Sequence, residues 1–124
     1  MKYGYPKDKS LKSLFLQVKI KAMLHNDIQK FLPDIKILLM RHKIKEAYVF
    51  GSAITRDFTD TSDIDLIVNL QDNIDPVEAG GHLWDLQEEL EDLFKRHIDL
   101  ITERSLKNPY FIEEINRTKV RIYG

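Results

Sequence analysis

Asp63 and Asp65 are separated by a single residue, and the apolar residues Ile64, Leu66, Ile67 and Val68 run through and beyond them. Successive side chains of a β-strand point to opposite faces. Asp63 and Asp65 therefore share one face, while Ile64, Leu66, Val68 and Leu70 share the other. One face is built to be buried. The other presents two carboxylates close enough to repel, an arrangement worth having only when something positive sits between them. A divalent cation is the natural candidate.

Asp99 adds to this pattern. It lies in the short run His97-Ile98-Asp99-Leu100-Ile101, where an ionised carboxylate is costly unless it is paired or bound to a metal. A strand edge, or an ion pair with Arg96 or Arg104, would account for Asp99 alone. Together with Asp63 and Asp65 it becomes the third ligand of a site. Three aspartates suit magnesium, which prefers oxygen ligands and is held by a few carboxylates together with substrate phosphates and water. They suit zinc poorly. One or two such ions would neutralise a triphosphate and activate an attacking oxygen.

Gly51-Ser52 ends the apolar run Ala47-Tyr48-Val49-Phe50, with ten residues between Ser52 and Asp63. A glycine lets the backbone approach a ligand where a Cβ would intrude. If the residues after Ser52 open a helical turn, their free N–H groups and the Ser52 hydroxyl point at an anion, of which phosphate is the obvious one. A bare Gly-Ser is a turn. Joined to paired carboxylates at this spacing, between two strands, it is a specific signal. The histidines His25, His42, His82 and His97 are scattered and read as surface or packing residues. Ser52 has no histidine at motif distance, so a serine-nucleophile hydrolase is not expected. Trp84 and Phe94 fit a core or a partner surface.

The elements that must position these groups follow from periodicity. Leu11, Leu14, Val18 and Ala22 recur at helical spacing behind Ser10 as N-cap, and a fresh helix signal begins at Asn26-Asp27. Residues 1–22 thus read as a basic appendage, and residues 23–124 as the domain proper. Ile28, Phe31, Leu32, Ile35, Leu38 and Leu39 predict a helix to about His42, with Pro33 starting a new first turn or kinking it. Ala47 to Phe50 predicts a buried strand, Thr55 to Ser62 a loop, and Ile64 to Leu70 the clearest strand. Asp75-Pro76-Val77-Glu78 predicts a cap, a first-turn proline and a capping-box glutamate. The helix it opens is expected to be interrupted at Gly80-Gly81 and to resume with Leu83, Leu86, Leu90 and Leu93 inward. Its acidic face, with Glu88, Glu89 and Glu91, reads as solvated. A strand over 97–101, a short helix over 109–116 and an edge strand over 119–123 complete the chain. Strands separated by helices imply an α+β fold, a small mixed sheet with helices packed on one side.

With 124 residues, 43% of them apolar and 31% charged, the composition is that of one globular domain. There is no cysteine, hence no disulfide framework or thiolate metal site. No apolar run approaches a membrane span and no leader pattern opens the chain, so a cytoplasmic protein without membrane contact is expected. The net charge of −1 divides unevenly. Residues 1–50 hold eleven Lys or Arg against four Asp or Glu, and residues 51–124 hold eight against sixteen. The early basic residues are spread along the segment without a recognition signature, so a solvated face is expected there rather than nucleic-acid binding.

Gly51, Ser52, Asp63, Asp65 and Asp99 together resemble the signature of the nucleotidyltransferase superfamily related to DNA polymerase β. That signature is a Gly-Ser, a loop of this length, Asp-x-Asp on the next strand and a carboxylate on a later one. The resemblance runs from about Met23 to Gly124 and includes Lys107-Asn108-Pro109-Tyr110-Phe111. The small size looks most like the minimal nucleotidyltransferases, many of which are antitoxins paired with a helical HEPN-domain toxin. The resemblance implies transfer of a nucleoside monophosphate, commonly AMP from ATP, to a hydroxyl of the partner protein. It implies that Asp63, Asp65 and Asp99 hold Mg2+ and that Gly51 and Ser52 bind the departing phosphates. Many minimal members carry an arginine four residues after the glycine. Here that place is Thr55 and the arginine is Arg56, either a phosphate contact or a solvated loop residue. Two other readings remain open: an antitoxin that masks its toxin by binding alone, and a transferase acting on a small molecule. A neighbouring gene for a helical protein of similar size would separate the toxin-directed readings from the last.

Overall fold

The computed structural model describes residues 26–51 and 63–124. Within them the chain forms α1 (Asn26–Arg41), β1 (Ile44–Phe50), β2 (Ile64–Leu70), α2 (Pro76–Phe94), β3 (Ile98–Thr102), a 3-10 turn (Glu103–Ser105), α3 (Pro109–Thr118) and β4 (Val120–Tyr123). The expectations for the appendage over 1–22, and those for Ser52, Thr55, Arg56 and the loop to Ser62, lie outside the described residues.

The strands form one mixed sheet in the order β3-β2-β1-β4. β1 runs antiparallel to β2 and β4, while β2 and β3 are parallel. A parallel pair needs a crossover longer than a turn, and α2 supplies it. Asp75 starts that helix as read, accepting from the backbone N–H groups of Val77 at 3.1 Å and Glu78 at 3.3 Å, with Pro76 in the first turn. Glu78 does not close the box. Its carboxylate instead accepts from Lys43 Nζ at 2.7 Å, tying α2 to the turn before β1.

Neither helix starts anew where the sequence offered it. α1 passes through Pro33, and α2 runs unbroken through Gly80 and Gly81 to Phe94. A mid-helix glycine costs about 1 kcal/mol relative to alanine, which the burial of Leu86 and Leu90 later in the same helix outweighs. α2 ends where Lys95 turns left-handed at φ 55° and donates its N–H to Glu91 O.

The main core lies between the sheet and the two long helices. Ile28, Ile35 and Leu39 of α1 and Leu86, Leu90 and Phe94 of α2 meet Ala47, Val49, Ile64, Leu66, Val68 and Ile98 of the sheet. The face that carries Asp65 is not wholly open. Ile67, two residues on, is completely buried and packs with Phe50 and with Ile115 of α3. This smaller cluster closes the middle of that face, leaving its carboxylates at the beginning of β2.

Candidate active site

β1 delivers the chain to the site and β2 and β3 carry it. Phe50, the last residue of β1, pairs with Asp65, and Asp65 pairs in turn with Asp99 of β3. The parallel register places both aspartates at the same level of adjacent strands, each one residue after an apolar partner, Ile64 and Ile98.

Gly51 follows at φ 73°, a conformation that residues with a side chain rarely adopt. A Cβ placed on it would lie 2.5 Å from Asp65 Oδ2 and 3.4 Å from Asp65 Cγ. The left-handed turn favours glycine, and a Cβ there would push the Asp65 carboxylate aside. The backbone sits directly over a carboxylate.

Asp63 precedes β2 and is exposed. The strand beside it is anchored by the Ile64 N–H, which donates to His97 O at 3.2 Å. Asp99 presents a side chain that is 59% exposed, so its strand of apolar neighbours does not desolvate it. The burial cost falls on half-buried Asp65 instead. Burial, then the charge and hydrogen bond of Asp99, then the charge of Asp63, push the Asp65 carboxyl up to about 6.

His97 is the site residue that sequence reasoning set aside. It stands two residues before Asp99 on the same strand face, the spacing used to join Asp63 to Asp65. Its Nε2 lies 3.3 Å from Asp99 Oδ1 and its Nδ1 lies 2.9 Å from Glu91 Oε2. The hydrogen bond to Asp99, with the charge of Asp63 adding to it, raises the imidazole above its ordinary value. Asp63, His97 and Asp99 each offer a ligand atom, and these atoms all lie within 4.8 Å of one another. Asp65 is not one of those three, although it is hydrogen-bonded to Asp99.

Other residues singled out from the sequence separate cleanly. Arg96 pairs with Asp27 of α1 at 3.3 Å. Phe94 is core, edge-on to Phe31, whereas Trp84 is 68% exposed. His42 is packed at the end of α1, with its Nδ1 3.0 Å from His82 Nδ1 and its Nε2 3.1 Å from Glu89 Oε2. Among the described residues no helix is long and apolar enough to cross a membrane.

This arrangement can bind a cation between carboxylates and bring an anionic ligand against the Gly51 backbone. Residues 34–124 match the family model for "Polymerase beta, Nucleotidyltransferase". The chain is 35% identical over 101 residues to the "Putative protein adenylyltransferase MJ0126" of Methanocaldococcus jannaschii, spanning 75% of this chain and 99% of that protein. A solved structure described as a "putative minimal nucleotidyltransferase" superposes with a TM-score of 0.60 at 25% identity, covering 75% of this chain and 90% of that one. A complex of a tri-AMPylated Shewanella oneidensis HEPN toxin with an MNT antitoxin gives a TM-score of 0.56 at 24% identity, covering 77% and 71%. At that identity the likeness is one of fold.

Proposed function

This chain belongs to the polymerase β nucleotidyltransferase family, and from that premise we propose that it transfers AMP from ATP to a hydroxyl of a partner protein, a helical HEPN-type toxin that the transfer silences. The adenylyl group is supported by the name of the 35% identical relative, and the partner by the HEPN complex among its structural neighbours. The observation that carries the reading is the fit of Gly51 over Asp65, in register with Asp99.

The donor set fits Mg2+. Asp63 and Asp99 offer exposed carboxylates, and a bound cation would offset both the burial and the neighbouring charges that push the Asp65 carboxyl up to about 6. Asp63, Asp65 and Asp99 would hold one or two such ions. Bound there, the metal would supply neutralisation of the triphosphate charge. The chain's own groups do the rest. Gly51, with the Ser52 backbone and hydroxyl after it, receives the β- and γ-phosphates without a side chain in the way. Asp99, the more open of the two strand aspartates, faces the incoming hydroxyl and accepts its proton. The hydroxyl oxygen bonds to the α-phosphorus, the bond from that phosphorus to the bridging oxygen breaks, and pyrophosphate leaves. Catalysis of this kind is positional and electrostatic.

The test is the intact mass of the protein encoded beside this one after incubation with ATP, Mg2+ and this chain. A gain of one or more AMP units supports the reading. A stable complex of unchanged mass, with all four nucleotides tried, would assign the chain to antitoxins that act by masking.

A further inference from the structure

His97 belongs to no part of the signature that identifies the family, yet it stands among the carboxylates. Its ligand atom and those of Asp63 and Asp99 fall within 4.8 Å of one another. The 3.3 Å from its Nε2 to Asp99 Oδ1 is close to the edge of a coordination polyhedron, since two ligands at about 2.1 Å and at right angles lie about 3 Å apart. The other nitrogen is held from outside the cluster. Glu91, on α2, places Oε2 2.9 Å from Nδ1, and the same oxygen accepts the Ile98 N–H at 3.1 Å, which fixes its position.

A histidine whose far nitrogen donates to a carboxylate has its tautomer set. With a metal bound, Nδ1 would keep its hydrogen on Glu91 and Nε2 would present its lone pair, which is how protein imidazoles are oriented towards metals. Here Nε2 faces Asp99 and donates to its Oδ1, and a cation between the two would take the place of that proton.

We propose that His97 is a metal ligand, joining Asp63 and Asp99 around one divalent cation and biasing the site towards Mn2+ over Mg2+. The proposal rests on the reading above that these aspartates bind a divalent ion. It adds that the ion's shell contains nitrogen. Mg2+ takes oxygen ligands almost exclusively, whereas Mn2+ and the later first-row ions accept imidazole. Glu91 is then a positioning residue, acting through the ring.

The experiment is a titration of the purified, nucleotide-free protein with Mn2+, followed by electron paramagnetic resonance, with pulsed measurement of nitrogen coupling to the bound ion. The wild-type protein should show coupling to one imidazole nitrogen. His97→Gln, checked for folding by circular dichroism, should lose that coupling and bind Mn2+ about tenfold or more weakly, with a smaller loss for Mg2+. Bound Mn2+ that is lost in Asp63→Asn but never shows nitrogen coupling would overturn the role of His97 while leaving the carboxylate site standing. Failure of the wild type to bind Mn2+ at all would overturn both. Because the coupling is read in the wild type, the result does not depend on how well a variant folds.

Discussion

Gly51 and Asp65 are fitted to one another: a Cβ on the first would lie 2.5 Å from Oδ2 of the second, and the glycine holds φ 73° to make that approach. Gly51→Ala is expected to suffer twice, from the left-handed backbone and from the clash. A strained backbone of this kind costs on the order of 1–3 kcal/mol. Urea unfolding should show a loss of that size in Gly51→Ala. The double variant Gly51→Ala/Asp65→Ala should recover the clash and retain the backbone cost. Equal stability of the single and double variants would mean that the two residues do not meet.

Asp65 makes stability depend on pH in a predictable direction. Its folded carboxyl titrates at about 6, above the ordinary value of 3.8, so the folded state binds the proton more tightly than the unfolded chain. The resulting stabilisation is fully present below the unfolded value and is lost as pH rises through about 6. With chelator present, the wild type should lose stability relative to Asp65→Asn between about pH 4 and 6.5. A constant difference across that window would contradict the assignment.

At the other end of the sheet the sign is opposite. Asn69 donates from Nδ2 to Glu46 at 2.9 Å and to Glu103 at 2.8 Å, and the Asn69 bond is the main reason the Glu46 carboxyl lies below its usual range. Stabilisation from Glu46 is therefore present above the unfolded value and lost as pH falls through the folded one. Asn69→Ala should be more destabilising at pH 7 than at pH 3, as read by denaturant midpoints at the two conditions.

Trp84 and Phe94 share a helix and have opposite surroundings. Phe94 is 8% exposed and edge-on to Phe31, so Phe94→Ala should lose about 3–5 kcal/mol. Trp84 is exposed, and its Nε1–H donates to Glu88 four residues along, so Trp84→Ala should stay within about 0.5 kcal/mol. Thermal unfolding of the two variants decides it.

The carboxylates were legible in the sequence because strand alternation alone puts Asp63 and Asp65 on one face. The register of β2 against β3 was not, since it depends on the α2 crossover and on the packing of Ile64 and Ile98. That register decides which aspartate is desolvated: Asp65 beneath the turn at Gly51, not Asp99. His97 escaped for a related reason. Its partner Glu91 lay in a helical charge run that reads as solvated, and only the folded return of α2 brings that glutamate to the start of β3. Gly80-Gly81 misled locally, because the burial of Leu86 and Leu90 later in the helix outweighs the cost of the glycines, and α1 continues through Pro33 with Ile28, Ile35 and Leu39 buried around it.

The most direct test of the central claim uses ATP labelled at the α-phosphate, Mg2+, the purified chain and the protein encoded beside it. The account predicts label on that partner with the wild type and none with Asp65→Asn, whose fold should be intact and slightly more stable near neutral pH. Label that persists undiminished in Asp65→Asn would contradict it.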